Sequence, residues 1–285
     1  MNNEEEKGKI FMNLLAVISS YFPSLTKSEQ KVAQFILSNP DEIENYSIND
    51  LADFSNVGES TVIRFCRKVG FSGFQDFKLS IAKNQINQQN TKQKTNIQNI
   101  QEIIFQQVVE SLEETKQFIN EEDLEKASNL ISKAEQINLF AVGNSGNTAL
   151  DFKNRLIRLG KKVEFSQDSH LQAISASVMN KNDIAIAISI SGNTQDILTN
   201  INIAKESGAK VIAVTNYLNS SITNLADVSL VCSSKEFISD YGSFSAKIAQ
   251  LYLLDIVCKK TGEINQDNAH YLRNKTNKAL INRIK

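Results

Sequence analysis

The stretch DIAIAISISGNTQDI, residues 183–197, decides how the C-terminal part of this chain folds. It begins with an apolar run that is typical of a buried strand, and hydroxyl side chains with a single glycine follow that run directly. The same four residues, Ser-Gly-Asn-Thr, also occur at 145–148, after a second apolar run, INLFAVG, at 137–143. Each copy is therefore predicted to lie at the carboxyl end of a strand and to open a helix.

Further apolar runs of strand length surround these two, and amphipathic stretches of helical length separate them. Strands that alternate with helices predict crossover connections and a parallel sheet covered by helices on both faces. The expected fold is an α/β three-layer domain of flavodoxin-like type, whose first and third strands are neighbours. The two Ser-Gly-Asn-Thr loops then face each other across one crevice. The predicted strands are 137–143, 162–165, 183–190, 210–215 and 228–232, and an apolar helix at 244–258 closes the domain.

The composition of the whole chain is that of a globular protein in a reducing compartment. It has 285 residues, 41% of them hydrophobic and 22% charged, with a formal net charge of −1. No apolar run approaches the ~20 residues that span a bilayer, and the acidic start lacks the order of a secretion signal. The three cysteines are scattered, which argues against a metal or redox motif. We expect a cytoplasmic protein with no membrane contact, no metal and no cofactor.

Helices alone are predicted for residues 1–83. Two capping-box patterns mark helix starts there, and the turn-like sequence FSNVG at 54–58 joins a short helix to the next one. This spacing predicts a helix-turn-helix at 47–69. The capping boxes pair Thr26 with Glu29 and Ser47 with Asp50.

The domain boundaries follow from a change in composition. From residue 84 the sequence becomes rich in Asn and Gln and poor in large apolar residues, which is typical of a linker. We therefore predict four segments: an all-α domain at 1–83, an Asn/Gln-rich and then helical linker at 84–118, the α/β domain at 119–262, and a polar helical tail at 263–285.

The helix after the turn carries hydroxyl and cationic side chains on one face. Val62, Phe65, Cys66 and Val69 have the spacing of one buried stripe, so the remaining side chains are predicted to face outward. Such groups near the start of a short helix are those with which recognition helices contact base edges and phosphates. An ordinary helical hairpin with a solvated face has the same spacing, so spacing alone leaves both interpretations open. The outward residues are Ser60, Thr61, Arg64, Arg67 and Lys68.

The residue types of the two Ser-Gly-Asn-Thr loops suit an anion. A helix N-terminus offers unpaired N–H groups and a partial positive charge, and Gly192 permits a close approach of the backbone. Neither loop contains Lys or Arg, which argues for modest affinity and against a nucleotide P-loop. The alternative is that the hydroxyls only cap two helices. The candidate ligand-binding residues are Asn144, Ser145, Ser189, Ile190, Ser191, Gly192, Asn193 and Thr194.

Two segments of the chain resemble a known family. Residues 25–82, above all STVIRFCRKVGFSGFQDFK at 60–78, are similar to the N-terminal domain of the RpiR family of bacterial transcription regulators. Residues from about 124 to 260 resemble the SIS (sugar isomerase) domain, with SISGNTQDI at its phosphate signature and AVGNSGNTAL at its first loop. The resemblance implies a regulator that binds a double-stranded DNA operator through the outward residues and a sugar phosphate effector through the two loops. Paired DNA half-sites suit a homodimer or higher homo-oligomer.

A catalytic function is the main alternative, since isomerising a sugar phosphate needs an acid and a base beside the reacting carbons. The candidates are Asp168, His170, Glu236 and Asp240, of which His170 and Glu236 are also candidate ligand contacts. A lone His at a helix start more often caps the helix or orients a ligand. A DNA-binding domain joined to a small-molecule domain favours a sensor over an enzyme. The alternatives are a sugar-phosphate isomerase with an accessory helical domain, and a DNA-binding protein whose C-terminal domain only dimerises.

Overall fold

The computed structural model of this chain describes residues 14–39, 43, 46–80, 99–233 and 244–264, together with residues 271, 272, 274, 275 and 278. The linker sequence at 84–98, the candidates Glu236 and Asp240, and most of the polar tail lie outside the described residues. The chain divides into two compact units, Met1–Glu110 and Ser111–Lys285.

Helices surround one apolar core in the first unit. Both predicted capping boxes are formed, and in the first of them the Thr26 N–H donates to the Glu29 carboxylate over 2.8 Å. The helices are α1 (Leu14–Tyr21), α2 (Lys27–Ser38), α3 (Ile48–Phe54), α4 (Glu59–Lys68) and α5 (74–80 of the described residues). The largest buried side chains of the core are Ile18, Ile36, Ile43, Leu51, Phe65 and Phe77.

Helices α3 and α4 form the predicted helix-turn-helix. The turn between them depends on Asn56, whose φ of 51° places it in the left-handed region, where Asn is tolerated better than most residues. The Val57 N–H then donates to the Ala52 carbonyl over 2.9 Å, which closes the turn. The predicted apolar stripe of α4, from Val62 to Val69, is buried against the rest of the unit.

The second unit is built from five strands and the helices around them. The strands are β1 (Ile137–Phe140), β2 (Val163–Glu164), β3 (Ile184–Ile188), β4 (Lys210–Thr215) and β5 (Val228–Val231). The helices are α6 (Ile100–Phe118, whose residues before Ser111 belong to the first unit), α7 (Glu121–Lys133), α8 (Gly143–Arg158), α9 (Ser169–Ser177), α10 (Gln195–Glu206), α11 (Ser221–Leu225) and α12 (Phe244–Ile264).

All strands of this sheet are parallel, in the order β2-β1-β3-β4-β5. This is the predicted flavodoxin-like order, and it makes β1 and β3 neighbours. The register pairs Phe140 with Ala187 and Ile188 with Val214, so β1, β3 and β4 end at the same edge of the sheet. We call this edge, where the candidate loops lie, the carboxyl edge.

The side chains of β3 show why helices cover both faces of the sheet. The three isoleucines at 184, 186 and 188 pack into a core with α7, α8 and α12. Ala185 and Ala187 point to the other face and pack with α9, α10 and α11. A strand that is apolar on both faces must be covered on both, and the predicted three-layer fold is confirmed. Among the described helices, none has both the length and the apolar character needed to cross a bilayer.

Candidate functional site

The loop that follows β3, residues 189–194, closes on itself through hydrogen bonds. The hydroxyls of Ser189 and Thr194 lie 3.0 Å apart. The Gly192 N–H donates to the Ser189 carbonyl and to the Ser189 hydroxyl, each over 3.2 Å. The loop therefore has a defined shape before any ligand is bound, and three of the candidate residues maintain it.

Gly192 is the residue that this shape requires. Its φ is +63°, a conformation that costs other residues free energy. A Cβ atom at this position would also lie 2.2 Å from the Ser220 Oγ and 2.9 Å from the Thr215 Oγ1. The prediction that this position needs dihedrals unfavourable to other side chains is confirmed. The group packed against the glycine is the segment at the end of β4, and the close approach to an anion stays a prediction.

That segment, residues 215–221, supports the loop from one side. The Thr215 hydroxyl and the Asn216 N–H each donate to the Ile190 carbonyl over 3.1 Å. The Asn193 carboxamide oxygen accepts from the N–H and the hydroxyl of Ser221, at 3.0 and 2.7 Å. Sequence reasoning missed these residues, although the polar run TNYLNSS after a third apolar run was a usable signal.

Helix α10 begins directly after this loop, and no described side chain caps its N-terminus. Thr194 occupies the cap position, but its hydroxyl pairs with Ser189 instead of the helix. By contrast, α7 is capped by Asn120 and α9 by Asp168. The interpretation that the Ser-Gly-Asn-Thr hydroxyls serve as helix caps is therefore wrong at α10, whose first N–H groups have no side-chain cap among the described residues.

The first Ser-Gly-Asn-Thr copy is placed differently from the second. Helix α8 already begins at Gly143, whose φ is +56°, so residues 145–148 lie inside the helix. Ser145 is only 9% exposed, and Thr148 is fully buried. Val142 occupies the N-cap position, so α8 also lacks a side-chain cap among the described residues. Two uncapped helices thus begin at the ends of neighbouring strands.

Of the four candidates for acid–base chemistry, one caps a helix, one is exposed and two lie outside the described residues. The Asp168 carboxylate accepts from the backbone N–H groups of His170 and Leu171, at 2.8 and 3.2 Å, and thereby caps α9. His170 lies exposed in the first turn of the same helix. Glu236 and Asp240 lie outside the described residues.

One further residue, the buried Gln172, was missed by sequence reasoning. Gln172 fixes the turn between β1 and α8. Its side-chain N–H₂ donates to the carbonyls of Ala141 and Ser166, each over 2.7 Å, and its oxygen accepts from Asn200 over 3.3 Å. A buried amide that is bonded at both ends holds its neighbours in one geometry. The start of α8 is thereby tied to α9 and α10.

In the first unit, helix α4 presents a smaller outward surface than the sequence predicted. Ser60, Arg64 and Arg67 are exposed, as expected. Thr61 was predicted to face outward, and this orientation is wrong because Thr61 is only 7% exposed. It precedes Phe65 by four residues and therefore shares its buried face. Its hydroxyl accepts a hydrogen bond from the Arg64 guanidinium over 3.0 Å.

Lys68 is half-buried and paired within the unit. Its ammonium lies 3.2 Å from the carboxylate of Glu29, whose side chain is 6% exposed. Burial alone would raise the pKa of Glu29, but the hydrogen bonds from Thr26 and then from Lys68 outweigh it and lower that pKa. Lys68 therefore joins α4 to the capping box of α2.

Comparison with known proteins agrees with both halves of the chain. Residues 12–89 match the helix-turn-helix domain of the rpiR family, and residues 130–259 match the SIS domain. An HTH-type transcriptional regulator of Haemophilus influenzae is 37% identical, over 96% of this chain and 98% of its own length. The regulator HexR of Escherichia coli is 30% identical, over 86% of each chain.

Solved structures show the same likeness. The NanR protein of Vibrio vulnificus, solved in complex with ManNAc-6P, is 29% identical with a TM-score of 0.64, over 95% of this chain and 99% of its own. The sugar isomerase domain of an RpiR transcription factor from Sphaerobacter thermophilus shares the fold, with a TM-score of 0.58, 18% identity and coverage of 64% of this chain and 99% of its own. This chain belongs to the RpiR family of helix-turn-helix transcriptional regulators, with a SIS domain as its second domain.

Proposed function

We propose that the SIS domain of this regulator binds a sugar phosphate as its effector, with the phosphate held between residues 189–194 and the N-terminus of α8. The observation that carries the proposal is that α8 and α10 both begin without side-chain caps at the ends of neighbouring strands. Unpaired N–H groups and the helix dipoles favour an anion at such a place. The likeness to NanR, which was solved in complex with ManNAc-6P, supports a sugar phosphate as the class of ligand.

The chemistry of the proposed site favours a reversible ligand. Its donors are backbone N–H groups and the hydroxyls of Ser145, Ser191 and Thr194, which rotate to suit a tetrahedral anion. Neither loop contains Lys or Arg, so phosphate binding lacks a direct ion pair from these segments. We assign contacts with the sugar itself to the exposed residues Asn144, Asn193 and His170, with Glu236 as a further candidate.

We propose that the same protein contacts its DNA operator through Ser60, Arg64 and Arg67. Thr61 acts indirectly, since its buried hydroxyl holds the Arg64 guanidinium. Lys68 contributes charge, but its ammonium already pairs with Glu29. Each phosphate neutralised on duplex DNA adds about 0.9 to the slope of log affinity against log salt. A homodimer would place two such helices on half-sites about one helical turn apart.

We further propose that the protein is a sensor without catalytic activity and works in the bacterial cytoplasm, where its operator is. An isomerase needs an acid or base free to exchange protons with the sugar. Asp168 uses its carboxylate to cap α9, and the exposed His170 has no described carboxylate partner that would orient it as a base.

The effector proposal is tested by thermal unfolding of the full chain with a panel of sugar phosphates, beginning with N-acetylmannosamine 6-phosphate. Each compound is paired with its unphosphorylated sugar. A ligand at ~100 times its Kd adds about 2.7 kcal/mol of stability, which is easily seen as a rise in Tm. We expect a rise with one phosphate, none with its parent sugar, and loss of the rise in Ser191→Ala. No rise with any compound would favour a SIS domain that only dimerises, and product formed from the binding compound would show an isomerase.

The DNA proposal is tested by selecting bound sequences from a random duplex library and measuring affinity for the selected site. Arg64→Ala and Arg67→Ala should each weaken binding by about tenfold or more. Lys31→Ala is the matched control, because Lys31 is an exposed cation of α2. Equal affinity in all three variants would contradict the assignment of α4 as the recognition helix.

A further inference from the structure

We propose that a chain of hydrogen bonds connects the 189–194 loop to helix α6 and carries the effector signal toward the DNA-binding unit; this rests on the effector site proposed above. The chain passes through the ends of β4 and β5. Its members in order are Ile190, Thr215, Asn216, Cys232, Ser233, Thr115 and Glu114.

The first link joins the loop to the end of β4. The Ile190 carbonyl accepts from the Thr215 hydroxyl and from the Asn216 N–H, each over 3.1 Å. Ile190 lies next to Ser191, one of the proposed phosphate donors. A peptide group that turns toward a bound phosphate must therefore disturb or tighten these two bonds.

The second link joins β4 to β5. The Cys232 N–H donates to the Thr215 carbonyl over 3.0 Å, and the Cys232 thiol donates to the Asn216 carboxamide oxygen over 3.0 Å. Burial raises the pKa of Cys232 to about 12, so the thiol keeps the proton that it donates. Cys232 is thus a structural donor, and this assigns a role to a residue that the sequence left without one.

The third link joins β5 to helix α6. The Ser233 N–H donates to the Thr115 hydroxyl over 3.0 Å, and the Ser233 hydroxyl donates to the Glu114 carboxylate over 2.8 Å. The Thr115 hydroxyl in turn donates to the Ser111 carbonyl over 2.6 Å. Ser233, Glu114 and Thr115 are all buried. Hydrogen bonds in a buried, low-dielectric environment are electrostatically stronger than those at the surface, so this link holds β5 against α6.

Helix α6 is suited to pass a displacement onward. It runs without interruption from Ile100 to Phe118 and contains no glycine or proline. Its residues from Ser111 belong to the SIS unit, and those up to Glu110 belong to the unit that contains the helix-turn-helix. An uninterrupted helix is the kind of element through which a displacement can travel.

The test uses hydrogen–deuterium exchange of the full chain, with inorganic phosphate as the probe of the loop. In the wild type we expect phosphate to slow exchange about fivefold both at 189–194 and at 111–118, the effect of strengthening one hydrogen bond. Thr115→Val keeps the side-chain shape but removes the hydroxyl. It should retain the slowing at 189–194 and reduce it at 111–118, where only the Ser233–Glu114 bond of this link remains.

A second arm needs no ligand, so it separates this proposal from the effector site. Asn216→Ala removes the acceptor of the Cys232 thiol and should speed exchange at 111–118. The matched control is Ser229→Ala, because Ser229 is a half-buried residue of β5 outside the chain of hydrogen bonds. This variant should leave the exchange rate at 111–118 unchanged. An exchange rate at β1 equal to that of the wild type shows that the domain of each variant is folded.

The coupling is overturned if phosphate slows exchange at 189–194 but not at 111–118 in the wild type, or if Thr115→Val responds as the wild type does. If phosphate slows exchange at neither segment, the phosphate site itself fails. The second arm then decides the coupling: faster exchange in Asn216→Ala supports it, and unchanged exchange overturns it.

Discussion

The two Ser-Gly-Asn-Thr copies have identical sequences and different structures. The copy at 191–194 forms a turn before α10, with a glycine in the left-handed region and a threonine hydroxyl that pairs with Ser189 outside the helix. The copy at 145–148 lies inside α8, where its glycine is helical and its Thr148 hydroxyl is buried without a described partner. Neighbouring residues therefore decide what the tetrapeptide does.

The cause of the difference lies just upstream of each copy. After β1, Gly143 takes the positive φ and starts the helix two residues before the copy begins. After β3, Ser189 accepts the Gly192 N–H, and this delays the helix until Gln195. The role of Gly192 in the second loop is thus taken by Gly143 in the first. We therefore expect the same substitution, Gly→Ala or Thr→Val, to change stability or ligand affinity by different amounts in the two copies.

The largest difference is expected at the two glycines. Gly192→Ala places a Cβ 2.2 Å from the Ser220 Oγ at a φ of +63°, and it should lower the free energy of unfolding of the SIS domain by about 2–4 kcal/mol. Gly146→Ala places a Cβ at an ordinary 3.6 Å from Phe165 in a helix, and it should leave stability unchanged or raise it by up to about 1 kcal/mol. Urea unfolding measures both, and equal losses would break the comparison.

A smaller difference is expected at the two threonines. Thr194→Val removes the hydroxyl that pairs with Ser189 and that we assign to the phosphate, so sugar phosphate affinity should fall about tenfold. Thr148→Val removes a buried hydroxyl with no described partner, so stability and affinity should be unchanged or slightly improved. Calorimetric titration of both variants sharpens the comparison. A tenfold loss in Thr148→Val would mean that Thr148 contacts the ligand in addition to Ser145.

The smallest effect concerns a capped helix in the other unit, where α2 contrasts with the uncapped α10. Glu29→Gln keeps the capping geometry but loses the charge that pairs with Lys68, and it should cost about 1 kcal/mol at pH 7. The folded-state pKa of Glu29 lies below its ordinary value of 4.5, so this stability is present above that pH and is lost as the pH falls through the folded pKa.

Unfolding of the wild type and the variant between pH 7 and pH 3 measures this effect. The difference between them should shrink as the solution becomes acidic. Glu59→Gln removes an exposed carboxylate of the same unit; it is the control and should cost less stability than Glu29→Gln at pH 7. If the wild type and Glu29→Gln differ by the same free energy of unfolding from pH 7 to pH 3, Glu29 acts through its shape and not through its charge.

Much of the fold was predictable because it depends on local patterns. The five apolar runs located the strands, and two capping boxes located the starts of α2 and α3. The sheet order followed from the parallel alternation of strands and helices. The turn at 189–194 was predictable because a glycine and several hydroxyl residues follow the apolar run of β3 directly, a pattern typical of a loop between a strand and a helix.

The remaining features depend on contacts that are distant in sequence. Lys68 meets Glu29 across 39 residues, and Ser233 meets Glu114 across 119. No pattern in the sequence near these residues indicates that either pair is in contact. Thr61 was misjudged because helical spacing gives the direction of a side chain but not how far neighbouring elements cover it. The placement of the first Ser-Gly-Asn-Thr copy was missed because Gly143, rather than Gly146, takes the strained conformation.

The most direct measurement of the central claim is a crystal structure of the full chain grown with N-acetylmannosamine 6-phosphate and, in a second crystal, with inorganic phosphate. We expect a phosphate at the N-terminus of α10, with its oxygens about 3 Å from the Ser191 and Thr194 hydroxyls. A phosphate bound elsewhere on the SIS domain, with the 189–194 loop empty, would contradict it.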